Sequence, residues 1–112
     1  QVIDNIVFES RSFDLTKHSK IVLNGFSKFL KNNPTLEVEI QGHTDDIGDA
    51  KDNLQLSKQR SIAVKEYLLS EGIDEGRVTA KGYGESLPKF KNNSSKNRAK
   101  NRRTEFLILN DE

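Results

Sequence analysis

The spacing of apolar residues divides the first part of the chain into a strand and a helix. Residues 2–8 form a short apolar run, which predicts a first strand. Between residues 16 and 32 the apolar residues recur at helical spacing, at Val22, Phe26, Phe29 and Leu30. This spacing predicts an amphipathic helix whose core face includes Phe26 and Phe29. Pro34 ends the helix, because the residue before a proline is driven out of helical geometry.

The middle of the chain predicts a second strand followed by a second long helix. Leu36, Val38 and Ile40 alternate with polar residues, and this period of two is typical of a strand with one buried face. Residues 42–52 form a polar loop. Residues 53–71 then predict a helix with one apolar side, which consists of Leu56, Ala63, Val64, Tyr67 and Leu68. Gly72 follows, at a position where helices commonly end in a left-handed residue.

The last part of the chain predicts two more strands. Residues 77–83 predict a third strand, residues 89–103 a loop with a short helix, and residues 103–110 a last strand. The resulting order is β-α-β-α-β-(α)-β. It predicts an α/β sandwich in which two long helices cover one face of a small mixed sheet. The length of 112 residues fits a single domain over residues 1–112.

Composition limits the classes of protein that fit. Charged residues make up 31% of the chain, mean hydropathy is −0.73, and no apolar run approaches the length needed to cross a bilayer. The absence of cysteine excludes disulfides, thiolate catalysis and cysteine-based zinc sites. The chain begins with Gln1 and carries no signal peptide, so we expect it to be a piece of a longer protein.

The net charge of +1 conceals an uneven distribution. Acidic residues dominate positions 37–52, whereas positions 89–103 carry basic residues and no acid. The basic stretch 96–103 is a candidate nucleic-acid surface. It lacks the interleaved aromatic residues that stack on bases, because Phe90 stands alone. We therefore expect no nucleic-acid partner, and we interpret the stretch as a solvated face or as a lip for ligand carboxylates.

Asp45 and Arg60 form the most informative pair of polar residues. Asp45 follows the second predicted strand, and Arg60 shares one stripe of the second helix with Asn53 and Leu56. Both charged side chains would then face one groove. An amino-acid-like zwitterion needs an anion for its ammonium and a planar, two-pronged donor for its carboxylate, which arginine supplies. Asn53 and Thr44 add further hydrogen-bonding groups.

Spacing alone leaves other interpretations of this region open. An internal salt bridge between Asp45 and Arg60 that binds nothing is the more frequent outcome of such a pair. His43 near Ser57 suggests a hydrolase triad, although no other hydrolase signature is present. The acids of residues 45–52 suggest Ca²⁺, but they lack the pattern of an EF-hand and fit the start of a helix better. We therefore expect no enzymatic activity, no metal and no cofactor.

Several motifs in a fixed order resemble those of OmpA-like domains. The first two are Ile40-Gln-Gly-His-Thr-Asp-Asp-Ile-Gly48 and Asn53-Leu-Gln-Leu-Ser-Lys-Gln-Arg60, similar to G-H-T-D-x-x-G and N-x-x-L-S-x-x-R. They are followed by Gly72-Ile73, then Arg77-Val-Thr-Ala-Lys-Gly-Tyr-Gly-Glu85, Pro88 and Arg98-Ala-Lys-Asn-Arg-Arg103. The resemblance spans about residues 5–109, nearly the whole chain.

This resemblance implies non-covalent binding of the peptidoglycan stem peptide, chiefly of its diaminopimelate residue. It implies that Asp45 holds the ammonium of that residue and Arg60 its carboxylate. It adds further ligand contacts at Thr44, Asn53, Leu56 and Arg102. It also implies a periplasmic domain that anchors a membrane-attached outer-membrane or envelope protein of a Gram-negative bacterium to the cell wall.

The end of the first predicted strand departs from the family pattern. Many members carry Phe-x-Phe-Asp or Phe-x-Phe-Asn there, whereas this chain has Phe8-Glu-Ser-Arg11. Arg11 therefore stands in place of an Asp or Asn that borders the ligand groove, and Ser10 in place of an aromatic residue. We expect Arg11 to change the affinity for the ligand, either by attracting a carboxylate or by repelling the ammonium.

Overall fold

A computed structural model describes Ile6, Phe8 and residues 12–110 of the chain. The elements in order are α1 (Lys17–Asn32), β1 (Glu37–His43), α2 (Ala50–Ser70), a 3₁₀ turn (Glu75–Arg77), β2 (Val78–Gly84), α3 (Ser95–Asn101) and β3 (Arg103–Asn110). The predicted α/β sandwich is confirmed, since α1 and α2 pack on one face of a small mixed sheet. In the described part of the chain, no helix is both long and apolar enough to span a bilayer.

The predicted first strand lies outside the described residues, apart from Ile6 and Phe8. Phe8 forms an isolated antiparallel bridge with Leu15. The other predicted strands are confirmed with small changes of boundary. The first of them starts at Glu37 rather than at Leu36, and β2 starts and ends one residue later than predicted.

The sheet brings several loops to one edge. Among the described residues it has three strands in the order β2-β1-β3, with β1 parallel to β2 and antiparallel to β3. His43, at the end of β1, therefore lies beside both Gly84 at the end of β2 and Arg103 at the start of β3. The loops that follow β1 and β2, together with α3, meet at this edge, which we call the groove edge.

The core lies between the helices and the sheet. Its fully buried residues come from α1 (Leu23, Leu30), α2 (Val64, Leu68) and the strands (Val38, Ile40, Val78, Phe106). Each strand contributes alternate residues to this layer, as the period of two requires. The predictions of Val38, Ile40, Val64, Leu68 and Val78 as core residues are confirmed.

The buried face of α1 differs from the predicted one. It consists of Ser19, Leu23, Ser27 and Leu30, whereas Phe29 is 44% exposed. The prediction that Phe29 lies in the core is wrong, because small buried serines, which carry no hydrophobic signal, complete the face. Phe26 does pack against the core, with its ring centroid 4.2 Å from that of Phe106. The helix begins after Thr16, whose side chain accepts a hydrogen bond from the Ser19 N–H at 3.1 Å.

Helix α2 begins at Ala50, three residues before the predicted start. The cause is Asp49, whose carboxylate accepts hydrogen bonds from the N–H groups of Lys51 and Asp52 and so caps an additional turn. The helix ends at Ser70, one residue before the predicted end, and the prediction of a left-handed Gly72 is confirmed by its φ of 98°.

Helix α2 lies directly on the strands near the groove edge. A Cβ atom added at Gly42 would lie 2.5 Å from the carbonyl oxygen of Ser57, and one at Gly82 would lie 2.3 Å from the backbone nitrogen of Lys58. Only glycine permits such an approach of helix backbone to strand backbone. Ser57 Oγ also accepts the N–H of Gly84 at 2.9 Å. The first half of α2 is therefore held in a fixed position against the groove edge.

Candidate functional site

A groove of about 670 Å³ opens at the groove edge, between the end of β1, the first half of α2 and the α3–β3 junction. Six of the predicted site residues line it: Thr44, Asp45, Asn53, Leu56, Arg60 and Arg102. The other lining residues include Ile6, Phe8, Ile47, Ala99 and Thr104. The fold thus brings together residues that are spread over half of the chain.

Asp45 lies at one end of a network of short hydrogen bonds and is 7% exposed. Its Oδ1 accepts the N–H of Ile47 at 3.0 Å, and its Oδ2 accepts Nη1 of Arg102 at 2.5 Å. Within the described residues, the ion pair of Asp45 is formed with Arg102 and not with Arg60. The internal salt bridge that spacing alone favoured is therefore wrong, because the backbone at the α3–β3 junction brings a different arginine to the carboxylate.

Arg60 is held at the groove by the segment that precedes α1. Its Nε donates to the carbonyl oxygen of Ser12 at 2.8 Å, and its guanidinium carbon lies 4.9 Å from the ring centroid of Phe8. Stacking on an aromatic face and donating to a carbonyl both orient the guanidinium plane. The guanidinium carries five N–H groups in one plane, so its orientation sets the directions in which all of them donate.

Thr44 and Asn53 shape the loop that carries Asp45. Thr44 Oγ1 donates to the carbonyl oxygen of Asp45 at 2.8 Å. The amide nitrogen of Asn53, a 1% exposed residue, donates to the carbonyl oxygen of Ile47 at 2.9 Å and lies 3.4 Å from Glu85 Oε1. These side chains stabilise the loop conformation. Their direct contact with a ligand stays a prediction, and so does that of Leu56, a half-buried residue of the groove wall.

Arg11, the remaining predicted site residue, lies outside the described residues together with Glu9 and Ser10. The expected effect of Arg11 on affinity stays a prediction.

His43, the last residue of β1, is buried beside the groove. Its ring stacks on that of Tyr83, with centroids 5.4 Å apart and planes 12° from parallel. Burial, with a smaller contribution from Arg103, lowers the pKa of His43 to about 4. The imidazole is therefore neutral at neutral pH, and its contact with the Glu105 carboxylate at 3.8 Å is not an ion pair there.

A hydrolase triad receives no support from these contacts. Ser57 Oγ donates to the carbonyl oxygen of Leu54 at 2.8 Å and accepts the N–H of Gly84, so the hydroxyl is used within the fold. Among the described residues, neither ring nitrogen of His43 has a hydrogen-bond partner. A serine nucleophile requires a base within hydrogen-bonding distance, and Ser57 donates elsewhere.

Asp46, Asp49 and Asp52, which the sequence offered as possible Ca²⁺ ligands, have structural roles in the fold. Asp46 Oδ1 accepts Nε of Arg98 at 3.0 Å, and Asp49 caps α2. Asp52 lies in the first turn of that helix, where the helix dipole favours a negative charge. In the part of the chain that the structure describes, no His, Asp and Glu side chains form a group suited to hold a metal ion.

Comparison with known proteins identifies the family. The model of the OmpA family matches residues 7–102. The chain belongs to the OmpA family. It is 35% identical over 105 residues to outer membrane porin F of Pseudomonas aeruginosa, with 93% of this chain and 30% of that protein covered. It is 30% identical over 103 residues to the peptidoglycan-associated lipoprotein of Haemophilus influenzae, with 92% and 67% covered.

Solved structures agree with this family assignment. A putative MotB-like protein from Desulfovibrio vulgaris is 34% identical, with a TM-score of 0.87 and coverage of 95% of this chain and 68% of that chain. The chain spans less than half the length of several curated relatives that it matches. The OmpA-family domain is thus one part of those proteins.

The OmpA-family motif Arg98-Ala-Lys-Asn-Arg-Arg103 contains structural residues that sequence reasoning missed. Asn101 is fully buried, and its side chain binds the backbone of residues 89 and 90. Arg98 donates to Asp46 and to the carbonyl oxygen of Asn92. Arg103 donates to Glu105 and to the carbonyl oxygen of Leu87. The family motif was the only signal for these roles, because composition marks the stretch merely as basic.

Proposed function

We propose that this domain binds peptidoglycan without covalent chemistry, by holding the diaminopimelate residue of a stem peptide in the groove. The observation that carries the proposal is that Asp45 and Arg60 line one groove without forming an ion pair with each other. Membership of the OmpA family supports it, as does the similarity to a protein named peptidoglycan-associated lipoprotein.

The groove offers complementary groups for a zwitterion. The carboxylate of Asp45, held at Oδ1 by the N–H of Ile47, would accept the ligand ammonium. The guanidinium of Arg60 would donate to the ligand carboxylate through two N–H groups. Leu56 and Phe8 supply apolar wall around these polar ends. Both charges act in a partly desolvated cavity, where charge-assisted hydrogen bonds contribute about 1.5–3 kcal/mol each.

Arg102 has two roles in this proposal. In the absence of ligand it balances the charge of Asp45, a carboxylate whose side chain is 10% exposed, while the Arg102 side chain is 51% exposed. Its exposed part would donate to a second ligand oxygen while Asp45 receives the ammonium. A poorly solvated charge requires a partner of opposite sign, and Arg102 supplies it until the ammonium arrives.

Such binding would anchor a larger protein to the cell wall. Relatives include outer-membrane porins and lipoproteins, so we place this domain in the periplasm, as part of an outer-membrane or envelope protein. Moderate affinity at one site is sufficient, because the wall is a polymer that presents many stem peptides at high local concentration. No catalysis is required, and release of soluble muropeptides from purified sacculi by the domain would contradict this part of the proposal.

Paired variants of the two charged residues test the proposal. Asp45→Asn keeps the shape of the side chain and removes its charge, and Arg60→Lys keeps the charge and removes the fork. We expect Asp45→Ala and Arg60→Ala each to lower the affinity for purified sacculi by about 2–5 kcal/mol, as truncation of a buried charge partner does. We expect the two conservative variants to bind almost as weakly as the alanine variants.

Co-sedimentation with sacculi measures the binding, and circular dichroism with thermal unfolding reports whether each variant is folded. Exposed Lys17, on α1 and outside the groove, provides a matched control in Lys17→Ala, for which we expect wild-type binding. Wild-type sacculus binding by folded Asp45→Ala and Arg60→Ala would show that the groove is not the binding site.

A further inference from the structure

A cluster of exposed lysines lies beside the groove on α3 and the loop before it. It consists of Lys89, Lys91, Lys96 and Lys100, which we call the lysine patch. Among the described residues no acidic side chain forms an ion pair with these lysines, and Nζ of Lys100 lies 4.8 Å from the ring centroid of Phe90. The arginines of the same stretch are paired with acids. Within the described residues, the positive charge of this region that forms no ion pair is therefore that of its lysines, of which Lys89 still acts electrostatically on Glu105.

The loop that carries Lys89 and Lys91 is fixed by the fold. The Oδ1 of buried Asn101 accepts the N–H groups of Lys89 and Phe90 at 2.9 and 3.0 Å, and its Nδ2 donates to the carbonyl oxygen of Phe90 at 2.8 Å. Arg98 binds the carbonyl oxygen of Asn92 at 2.8 Å. Little backbone order would have to be gained when a ligand binds here, which favours a docking surface over a merely solvated loop.

The lysine patch is continuous with the groove. Ala99 and Arg102 of the α3 region line the groove. Lys96 lies three residues before Ala99, so the two are neighbours on the helix surface, and Lys100 lies one turn beyond Lys96 on the same side. An elongated ligand that fills the groove and continues across α3 would therefore reach the ammonium groups of the patch.

We infer that the lysine patch is a second anion subsite, which receives carboxylates of the stem peptides adjacent to the diaminopimelate residue in the groove. The inference rests on the proposed function and adds a second group of contacts to it. Lysine ammonium groups are mobile point charges, which suit carboxylates at variable positions in a polymer, whereas the arginine fork suits one fixed carboxylate. The patch would raise the affinity for the polymer without changing the affinity for the isolated amino acid.

An anionic lipid surface is the competing partner for such a patch. Membrane-surface binding needs apolar side chains that enter the acyl boundary as well as basic ones. The exposed apolar residues beside the lysine patch are Leu87 and Phe90, and Lys100 lies over the ring face of Phe90. The continuity with the groove and the small apolar area therefore favour the wall peptide.

A charge-matched pair of variants tests the inference. The patch variant combines Lys89→Gln, Lys91→Gln, Lys96→Gln and Lys100→Gln, and the control variant carries the same change at the exposed lysines of α1, Lys17, Lys20, Lys28 and Lys31. We expect the patch variant to bind purified sacculi roughly tenfold more weakly at low salt, since each exposed charge contact contributes a small factor. We expect this difference to shrink at high salt, and the control variant to bind as the wild type does.

Titration with free meso-diaminopimelate separates this inference from the proposed function. We expect the patch variant to bind free diaminopimelate as the wild type does, whereas Asp45→Ala does not. If Asp45→Ala bound both sacculi and free diaminopimelate as the wild type does, the proposed function itself would be contradicted. Equal sacculus binding by the patch variant and the wild type, or an equal loss in the α1 control, would overturn the subsite. The subsite would also be overturned if the patch variant lost binding to phosphatidylglycerol vesicles and bound sacculi as the wild type does.

Discussion

The two ends of the sheet are buried in different ways. The end opposite the groove is filled by Leu30, Leu36, Val38, Leu68 and Ile73, which are all nearly inaccessible to solvent and apolar. At the groove edge the buried residues are polar: His43, Thr44, Asp45, Asn53 and Ser57. Apolar burial is the main source of stability, whereas buried polar groups require matched partners and contribute little net stability. One end of the sheet therefore supplies most of the apolar stabilisation, and the other holds the buried polar side chains beside the groove.

The apolar end is also closed by a single arginine. Nη2 of Arg77 donates to the carbonyl oxygens of Leu30 and Asn33 at 2.8 Å, and its Nε donates to that of Leu36 at 2.9 Å. These carbonyls belong to the end of α1 and to the segment that follows it, where helix carbonyls lack partners within the helix. Arg77 and Arg60 thus show two uses of the same side chain, one inside the fold and one at a groove.

The largest effect on stability is expected from the apolar end. Leu68 is fully buried, so Leu68→Ala should lower the free energy of unfolding by about 2–5 kcal/mol through lost burial and a residual cavity. Denaturant unfolding measures this change. Leu109→Ala, at a position 51% exposed, is the control, and we expect a change of at most about 0.5 kcal/mol. A similar loss of unfolding free energy in both variants would contradict the claim that the apolar end is the main source of stability.

The folded fraction of Leu68→Ala should bind sacculi as the wild type does. Loss of binding by protein that circular dichroism shows to be folded would mean that the apolar end also sets the geometry of the groove.

The pH dependence of stability should reveal the buried histidine at the groove edge. His43 has a pKa of about 4 in the folded protein against 6.5 as its ordinary value, and its side chain is 2% exposed. Between these values the unfolded chain binds a proton that the folded protein does not, so stability falls as pH falls from 6.5 towards 4. The full gap corresponds to a loss of about 3 kcal/mol.

Chemical unfolding of the wild type and of His43→Phe at several pH values between 6.5 and 4.5 measures this contribution. Phenylalanine keeps an aromatic ring against Tyr83 and does not titrate. We expect the slope of stability against pH in this window to be much smaller in the variant. Glu39 and Glu105 have pKa values held below 4.5, the first mainly by a hydrogen bond from Gln41 and the second because Arg103 outweighs burial. Their contributions are lost only at lower pH, and an unchanged slope would contradict a buried neutral His43.

The smallest effects are expected from the two helix caps, which form a matched pair. Thr16 caps α1 away from the groove, and Asp49 caps α2 at the loop that carries Asp45. Thr16→Ala and Asp49→Ala should each lower stability by about 1 kcal/mol. Only Asp49→Ala should also weaken sacculus binding, because Asn53, which fixes the Asp45 loop, lies in the first turns of α2. Equal sacculus binding by the two variants would show that the start of α2 does not set the conformation of the Asp45 loop.

Sequence patterns predicted the fold class, three of the strands and both long helices, because alternation and helical spacing report directly which side chains are buried. They failed where burial is not hydrophobic. The buried face of α1 includes Ser19 and Ser27, and the start of α2 depends on the cap at Asp49. Neither feature produces an apolar signal.

The sequence predicted which residues line the groove but not which of them form an ion pair. The motifs gave Asp45, Arg60 and Arg102, and all three line the groove. That Arg102 rather than Arg60 pairs with Asp45 depends on the antiparallel register of β1 and β3, which sets His43 beside Arg103. No local pattern in the sequence specifies that register. The role of Asn101 was hidden for the same reason, since its partners in the 89–92 loop are fixed only by the folded chain.

The most direct test of the central claim compares two stem peptides that differ in one group. A peptide with lysine in place of diaminopimelate keeps the ammonium and lacks the carboxylate that Arg60 would bind. Calorimetric titration of the wild type should give an affinity about ten- to a hundredfold higher for the diaminopimelate peptide, the contribution of a charge-assisted hydrogen bond. Arg60→Gln should bind both peptides equally weakly. Equal binding of the two peptides by the wild type, or undiminished discrimination by Arg60→Gln, would contradict the account.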